Sequence, residues 1–376
     1  MQIVAPPNEW RSLPSELPCL EVYRREPRGR ICRLIAVGDI GLTERVRACA
    51  GGYEHCFAAV QSFLSEADLV FGNMEYTVLP DETGMGLFAG GPESVGVLRR
   101  AGFNLVSIAN NHCYDYGADG LAASLAALET EGIVPLGTSD NRTRLVRTDR
   151  DGLRIGWLAC GRSSFHQDPD RQGFWEFDRS ELLAAVARHR TEVDVLAVSI
   201  HTGYMYLDYP DPAFKAYAGE LAQAGAALVL VHHAHVLQGI EITAGGSLIC
   251  YNLGNFLLDW MEGHVAFRLM VKEQNESGLF CFDLDRDGIC AANVLPILIE
   301  NRSRVVWAQG ERGRRILERL RRISNRLGGR YGTAFRLQRI TRNATLSLKV
   351  VLTHLLRGHF RIAWTYIAAR LLPQRR

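Results

Sequence analysis

No stretch of ~18 consecutive apolar residues occurs in this chain, so an ordinary membrane-spanning helix is not expected anywhere in it. Its first residues, MQIVAPPNEWRSLPSELP, lack the basic segment followed by an apolar one that marks a secretory signal. None of its nine cysteines (19, 32, 49, 56, 113, 160, 250, 281 and 290) forms a CxxC pair. Cys160, Cys250 and Cys281 lie in apolar, strand-like runs, as buried free thiols in a reducing, cytoplasmic compartment would. Internal repeats and low-complexity stretches are absent as well. Acids are scarce in one region only. From Asn301 to Arg376 there are 19 Lys and Arg against two acids, Glu311 and Glu318; before residue 301 there are 24 basic and 39 acidic residues. The formal net charge of +2 therefore conceals an acidic body and a basic tail.

What is present fits a globular protein: 376 residues, 47% hydrophobic and 22% charged, enough for one large or two ordinary domains. Residues 1–30 are polar and proline-bearing and read as a loose arm. Buried strands are expected at RLIAVGDI (33–40), DLVFGNMEY (68–76), NLVSIANNH (104–112), IVPLGT (133–138) and DVLAVSIH (194–201). Helices are expected near 56–66, 92–100, 118–131, 178–190 and 211–224. Hairpins are signalled by Asp151-Gly152 and Gly245-Gly246, with further strands near 265–273 and 279–298. Strand–helix–strand units followed by antiparallel strands predict an α/β or α/β-sandwich domain over 31–300, followed by a basic helical extension over 301–376.

The most informative stretch is ALVLVHHAHVLQG (227–239), an apolar run that stops in His232, His233 and His235. Buried imidazoles need a hydrogen-bond partner or a metal. A satisfied core or loop histidine and a metal ligand both answer that need, and the crowding favours the ligand. Asp39, Glu75, Asn111, His112, His201, His233 and His235 all fall at or just past the carboxyl end of an expected strand. Ligands gather at that edge of α/β sheets. Taken singly, Asp39 could cap a helix, Glu75 could be a solvated acid, Asn111 a turn residue and His201 a core histidine. Taken together, carboxylate, amide and imidazole suit Mn, Fe or Zn better than an all-oxygen Mg or Ca cage. Two such ions with open positions could clamp both oxygens of a displacement at phosphorus.

In order and spacing, GNMEY, SIANNHCYDYG, VSIHTG, VHHAHVLQ and YNLGNF resemble the CapA-type bacterial capsule-synthesis family associated with poly-γ-glutamate, a branch of the calcineurin-like metallophosphoesterases. The resemblance covers about 33–260. It implies the α/β-sandwich of those phosphoesterases and two divalent transition metals. It implies metal ligation by Asp39, Glu75 (where that pattern has its bridging aspartate), Asn111, His201, His233 and His235. His112 would assist the leaving group, with Asp115 orienting it. His232, Asn73 and Asn255 are expected to support the ligands from behind. Two positions depart from the pattern. Gly41 stands where phosphoesterases carry a histidine, so one metal site loses a ligand. The Trp-Gly-x-Glu-Tyr continuation is replaced by HTGYMY, with Thr202 for the Trp and Met205 for the Glu.

The tail contains ERGRRILERLRRISNRL (311–327), with Ile316, Leu317, Leu320, Ile323 and Leu327 on one stripe, and LSLKVVLTHLLRGHFRIAWTYIAARLL (346–372). Docking of 305–376 on an anionic membrane surface at the inner face is one expectation. Packing on the acidic body is another. Nucleic-acid binding is a third, and no base-reading module is visible for it. Two functions follow: a phosphoesterase-like hydrolase acting on a phosphoester or anionic polymer in envelope-polymer synthesis, or a non-catalytic polymer-binding or synthase-partner protein.

Overall fold

The run around 33–40 becomes Cys32–Gly41, the hub of a ten-stranded sheet in a computed structural model that describes residues 1–80, 86, 88–138, 145–162, 175–259, 272–342 and 344. Leu69–Met74 pairs with it in parallel on one side, followed by Leu105–Ser107 and Val134–Leu136, also parallel. On its other side the antiparallel strands Glu276–Asp285 and Gly288–Glu300 continue the sheet. Asn255–Leu258 pairs in parallel with the carboxyl half of the hub strand. A second sheet of six strands runs Ile240–Ile242, Leu248–Cys250, Leu228–His232, Val195–His201, Leu153–Gly161, Val146–Arg150. Both expected hairpins are there, as the antiparallel pairs that close at Asp151-Gly152 and at Gly245-Gly246.

The two sheets face each other. Leu34, Ala36 and Phe71 of the first share one buried cluster with Trp157, Ala197 and Leu230 of the second. Phe71 stacks on Trp157 across the interface, ring centroids 5.3 Å apart. Offset aromatic pairs of this kind add roughly 0.5–1.5 kcal/mol beyond their area burial. Helices cover the outer faces. Glu93–Arg100 and Gly117–Thr130 put Val95, Leu98, Leu121 and Leu128 on the first sheet. Arg179–His189 and Pro212–Ala224 put Leu182, Val186, Tyr217 and Leu221 on the second. The last two start where their capping residues predict, since Asp178 accepts from the Glu181 amide and Asp211 from the Ala213 amide, both at 2.8 Å. The result is the α/β-sandwich expected from the sequence, helix layers outside two sheets.

Three expectations need correction. The segment 1–30 is not a loose arm: Gln2–Val4 and Cys19–Arg24 add two antiparallel strands to the edge of the first sheet, and Trp10 and Leu17 are buried. Asp285 pins this segment by accepting both terminal nitrogens of Arg25 at 2.6 and 2.7 Å. The strand expected over 104–112 spans only Leu105–Ser107. The tail does not begin as a separate extension either. Arg304–Trp307 pairs with Gly288–Glu300, and the helix Gly310–Leu327 lays Ile316, Leu317, Leu320, Ile323 and Leu327 on the body. That helix packs against Gln2–Val4 and Gly288–Glu300 of one sheet and Ile240–Ile242 of the other. Its apolar stripe is therefore occupied, and the membrane expectation loses the part that rested on 311–327. The expected helix 346–372 lies outside the described residues, as does nearly all of the strand expected near 265–273. Among the described residues no helix is long and apolar enough to cross a membrane. All nine cysteines are free, eight of them buried.

Candidate metal centre

The carboxyl ends of the parallel strands of both sheets meet in one place, and two glycines allow the approach. A Cβ on Gly38 would sit 1.9 Å from the Gly254 carbonyl oxygen, and one on Gly161 1.9 Å from that of Ala109. The first contact brings Asn255 beside Asp39; the second brings the Asn110–His112 turn to the end of the second sheet. At the end of Leu228–His232 the chain turns sharply, with His233 at φ 95° and His235 at φ 58°. Positive φ costs free energy for residues with a Cβ, on the order of 1–3 kcal/mol, and such strain collects at functional sites. Here it is what turns both imidazoles into the cluster.

Asp39 is fully buried and densely held. Its Oδ1 accepts from Asn73 Nδ2 at 2.8 Å, and its Oδ2 lies 3.1 Å from His235 Nδ1 and accepts from the His233 amide at 3.3 Å. His232 lies behind it, Nδ1 3.4 Å from Oδ1, with its ring against Phe71. Burial alone would raise the Asp39 pKa, but the adjacent imidazoles of His232 and His235 outweigh it and hold the carboxyl well below its ordinary range. Glu75 is the opposite case. It too is fully buried, yet neither carboxylate oxygen has a hydrogen-bond partner. Burial first, and then the charges of Asp39 and Asp115, push its pKa well above the usual carboxylate range.

Three imidazole nitrogens surround Glu75 Oε1 at distances too long for hydrogen bonds: His201 Nε2 at 3.6 Å, His235 Nε2 at 3.7 Å and His112 Nε2 at 3.8 Å. His201 Nε2 also lies 2.6 Å from Asn111 Oδ1 and 3.1 Å from His233 Nδ1. His235 Nδ1 is 3.0 Å from Asn255 Oδ1, so its other nitrogen is turned toward Glu75. Burial, reinforced by neighbouring imidazoles, keeps His201 neutral and lowers His233 to about 3. Two groups could each hold an ion, Glu75 with His201 and His233, and Asp39 with Glu75 and His235. They share Glu75.

This set fits a divalent transition metal. Two orphaned oxygens on a buried carboxylate cost several kcal/mol unless a cation meets them. Neutral His201 and His233 are in the form that ligates, and Asn255 and Asp39 hold His235 by its other nitrogen, as outer partners of metal-bound histidines do. At Gly41, the position where phosphoesterases have a histidine, a side chain would have to displace the end of Leu258. A Cβ there would lie 2.3 Å from Leu258 Cδ1.

His112 stands at the rim. Its Nδ1 is 2.7 Å from Asp115 Oδ2, its carbonyl accepts from Thr77, and its ring stacks on Phe88 with centroids 3.6 Å apart. The structure thus brings together every residue that the sequence singled out. It adds three that sequence reasoning did not assign. Asn110 ties the turn together, accepting from the His112 amide and donating to the Met74 carbonyl. Phe88 covers His112. Tyr206, buried at φ 62°, sets its ring 5.9 Å from that of His235. The doubled Asn in NNH was a signal for Asn110; nothing local marks Phe88 or Tyr206.

Comparison with known proteins agrees with these motifs. The chain is 27% identical over 290 residues to the capsule biosynthesis protein CapA of Bacillus anthracis, covering 71% of this chain and 67% of that one. To the PGA biosynthesis protein CapA of Bacillus subtilis it is 26% identical over 275 residues, covering 69% and 70%. Among solved structures, a phosphatase from Mycoplasma pneumoniae is similar at a TM-score of 0.46 and 13% identity, over 72% of this chain and 94% of that one. The family model for the bacterial capsule synthesis protein PGA_cap matches residues 33–260, well over half of the sequence, and the chain belongs to that family.

Proposed function

We propose that this protein is a metal-dependent hydrolase, phosphoesterase-like in its chemistry, that serves capsule or exopolymer synthesis of the poly-γ-glutamate type. The observation that carries the reading is Glu75, a fully buried carboxylate with both oxygens unpaired, placed between two groups of ligand-type residues. Asp39, Asn111, His201, His233 and His235 complete the set that would hold two ions of Mn, Fe or Zn. When bound, such ions lower the pKa of water and stabilise charge developing on the oxygens of the reacting centre. The protein's own contribution lies in His112. With Nδ1–H donated to Asp115, its Nε2 faces the cluster, and in the imidazolium form it can give its Nε2 proton to the leaving oxygen as the bond to phosphorus breaks, becoming neutral imidazole. Asp115 orients the ring through Nδ1, and Phe88 restricts it and keeps water off one face.

A second reading, polymer binding without chemistry, is favoured by one observation. Gly41 stands where the phosphoesterase pattern has a histidine, so one ion has fewer ligands than in that pattern. Turnover of a panel of phosphoesters by the metal-loaded chain separates the two. The hydrolase reading expects turnover that chelation abolishes and that His112→Ala lowers; a metal-loaded chain that hydrolyses none of the panel supports the binding reading.

A further inference from the structure

Next to the metal-ligand cluster lies a second feature that the reading above does not use. A cavity of about 290 Å³ opens where Thr202 and Gly203 leave the strand ending at His201. Arg162 and Arg179 line it, together with Phe177, Tyr204 and Phe214. Arg162 follows Gly161, which pairs in register with His201, and the Arg162 amide donates to the His201 carbonyl at 2.9 Å. This places Arg162 between the ligand cluster and the cavity.

Both arginines lack an acidic partner among the described residues. Arg179 lies over the Tyr217 ring, 4.5 Å from its centroid, a contact that orients the guanidinium without neutralising it. Among the described residues that line the cavity, Asp211 is the one acid, and its carboxylate is held by the Ala213 amide as a helix cap. Met205, where the related sequences resembled above carry a glutamate, is exposed and uncharged. Two guanidinium groups without an ion-pair partner among the described residues outnumber the one Asp211 carboxylate in this aromatic-walled cavity and can receive an anion, since Arg offers paired donors matched to carboxylate and phosphate oxygens.

We infer that this cavity is a subsite for an anionic group of the substrate, a carboxylate or a phosphate, bound by Arg162 and Arg179 beside the bond that the metal centre attacks. The inference rests on the metal centre described above for its position and on the arginines for its chemistry. It makes the two arginines specificity-determining residues: they bind the group adjacent to the reacting one, and the aromatic walls accept the carbon chain that bears it.

The test uses the metal-loaded full chain, with glutarate as the carboxylate probe and methylphosphonate as the phosphate probe. Affinity is measured by calorimetry for the wild type, Arg162→Gln, Arg179→Gln and the double variant, with metal content and melting midpoint recorded for each. Each substitution should weaken binding about tenfold or more, as loss of a charged hydrogen bond does. Metal content and midpoint should stay unchanged. Weakening for glutarate alone assigns a carboxylate, and weakening for methylphosphonate alone assigns a phosphate. Affinities that are the same in wild type and double variant overturn the inference, as does failure of the wild type to bind either probe. Arginine-dependent binding in a chain without turnover would keep the subsite and refute the hydrolase; turnover with arginine-independent binding would do the reverse.

Discussion

Leu320→Ala tests the assignment of the helix Gly310–Leu327 to the body. The residue is 0% exposed and lies in the cluster between the two sheets, where the helix spans strands of both. Its replacement removes the transfer free energy of the lost methyl and methylene groups and leaves a cavity that rigid strands on two sides cannot fill. Together these cost ~2–5 kcal/mol, and a site enclosed on both sides points to about 3 or more. Arg321→Ala, one position along and exposed, is the control and should change stability by less than about 0.5 kcal/mol. The assay is urea unfolding followed by far-UV circular dichroism. Leu320→Ala should lower the midpoint at nearly constant slope, because the same surface is exposed on unfolding. Truncation after residue 305 should go further and expose the core. If Leu320→Ala is as stable as Arg321→Ala, the helix is not docked and its apolar face is available for another surface.

Three other outcomes are expected. His112→Gln should keep its metal, by elemental analysis, and lose about 10²–10⁴-fold in kcat, the outcome expected of the proton-transfer role proposed for it. Gly38→Ala should destabilise the fold and displace Asn255, since its methyl would meet the Gly254 carbonyl oxygen 1.9 Å away; a variant as stable as wild type would show that the two strands do not approach so closely. Asp285→Asn should reveal a pH-dependent contribution. Burial raises this carboxyl, but hydrogen bonds from Arg25 and from the Arg28 and Asp287 amides more than offset that and bring its pKa from 3.8 to about 2. A depressed carboxylate stabilises the fold above its unfolded pKa and loses that contribution as pH falls through the folded one. The gap between wild type and variant should therefore be roughly 2 kcal/mol at pH 7 and narrow below pH 4, measured by urea midpoints; a gap constant down to pH 3 would contradict it.

Much of the site was legible because its residues stand at the ends of strands whose apolar runs are unambiguous. Cys32–Gly41, Leu69–Met74, Val195–His201 and Leu228–His232 are buried along their length apart from Arg33; the last three end in a ligand-type side chain or just before one, and the first carries Asp39 two residues before its end. Hydrophobic period finds such strands. It does not find short strands set among prolines: Gln2–Val4 has no buried residue, and Cys19–Arg24 buries Cys19, Leu20 and Val22 in a run of six that polar residues interrupt. In Gly310–Leu327 the stripe showed that one face is covered but not by what. Amphipathicity is a property of the helix, and its partner, the paired edges of two sheets, is assembled from residues some 20 to 300 positions earlier. The same holds for Phe88 over His112 and for Gly254 against Gly38, contacts that only the closed sandwich creates.

The central claim is that Glu75 and the imidazoles around it hold divalent metal. Elemental analysis of the purified wild type beside Glu75→Gln, His233→Ala and His235→Ala tests it most directly. The account predicts about two ions of a transition metal per wild-type chain, with fewer in each variant and the fewest in Glu75→Gln, whose side chain belongs to both groups of ligands. A wild type that binds no transition metal, or variants that retain as much as the wild type, would contradict it.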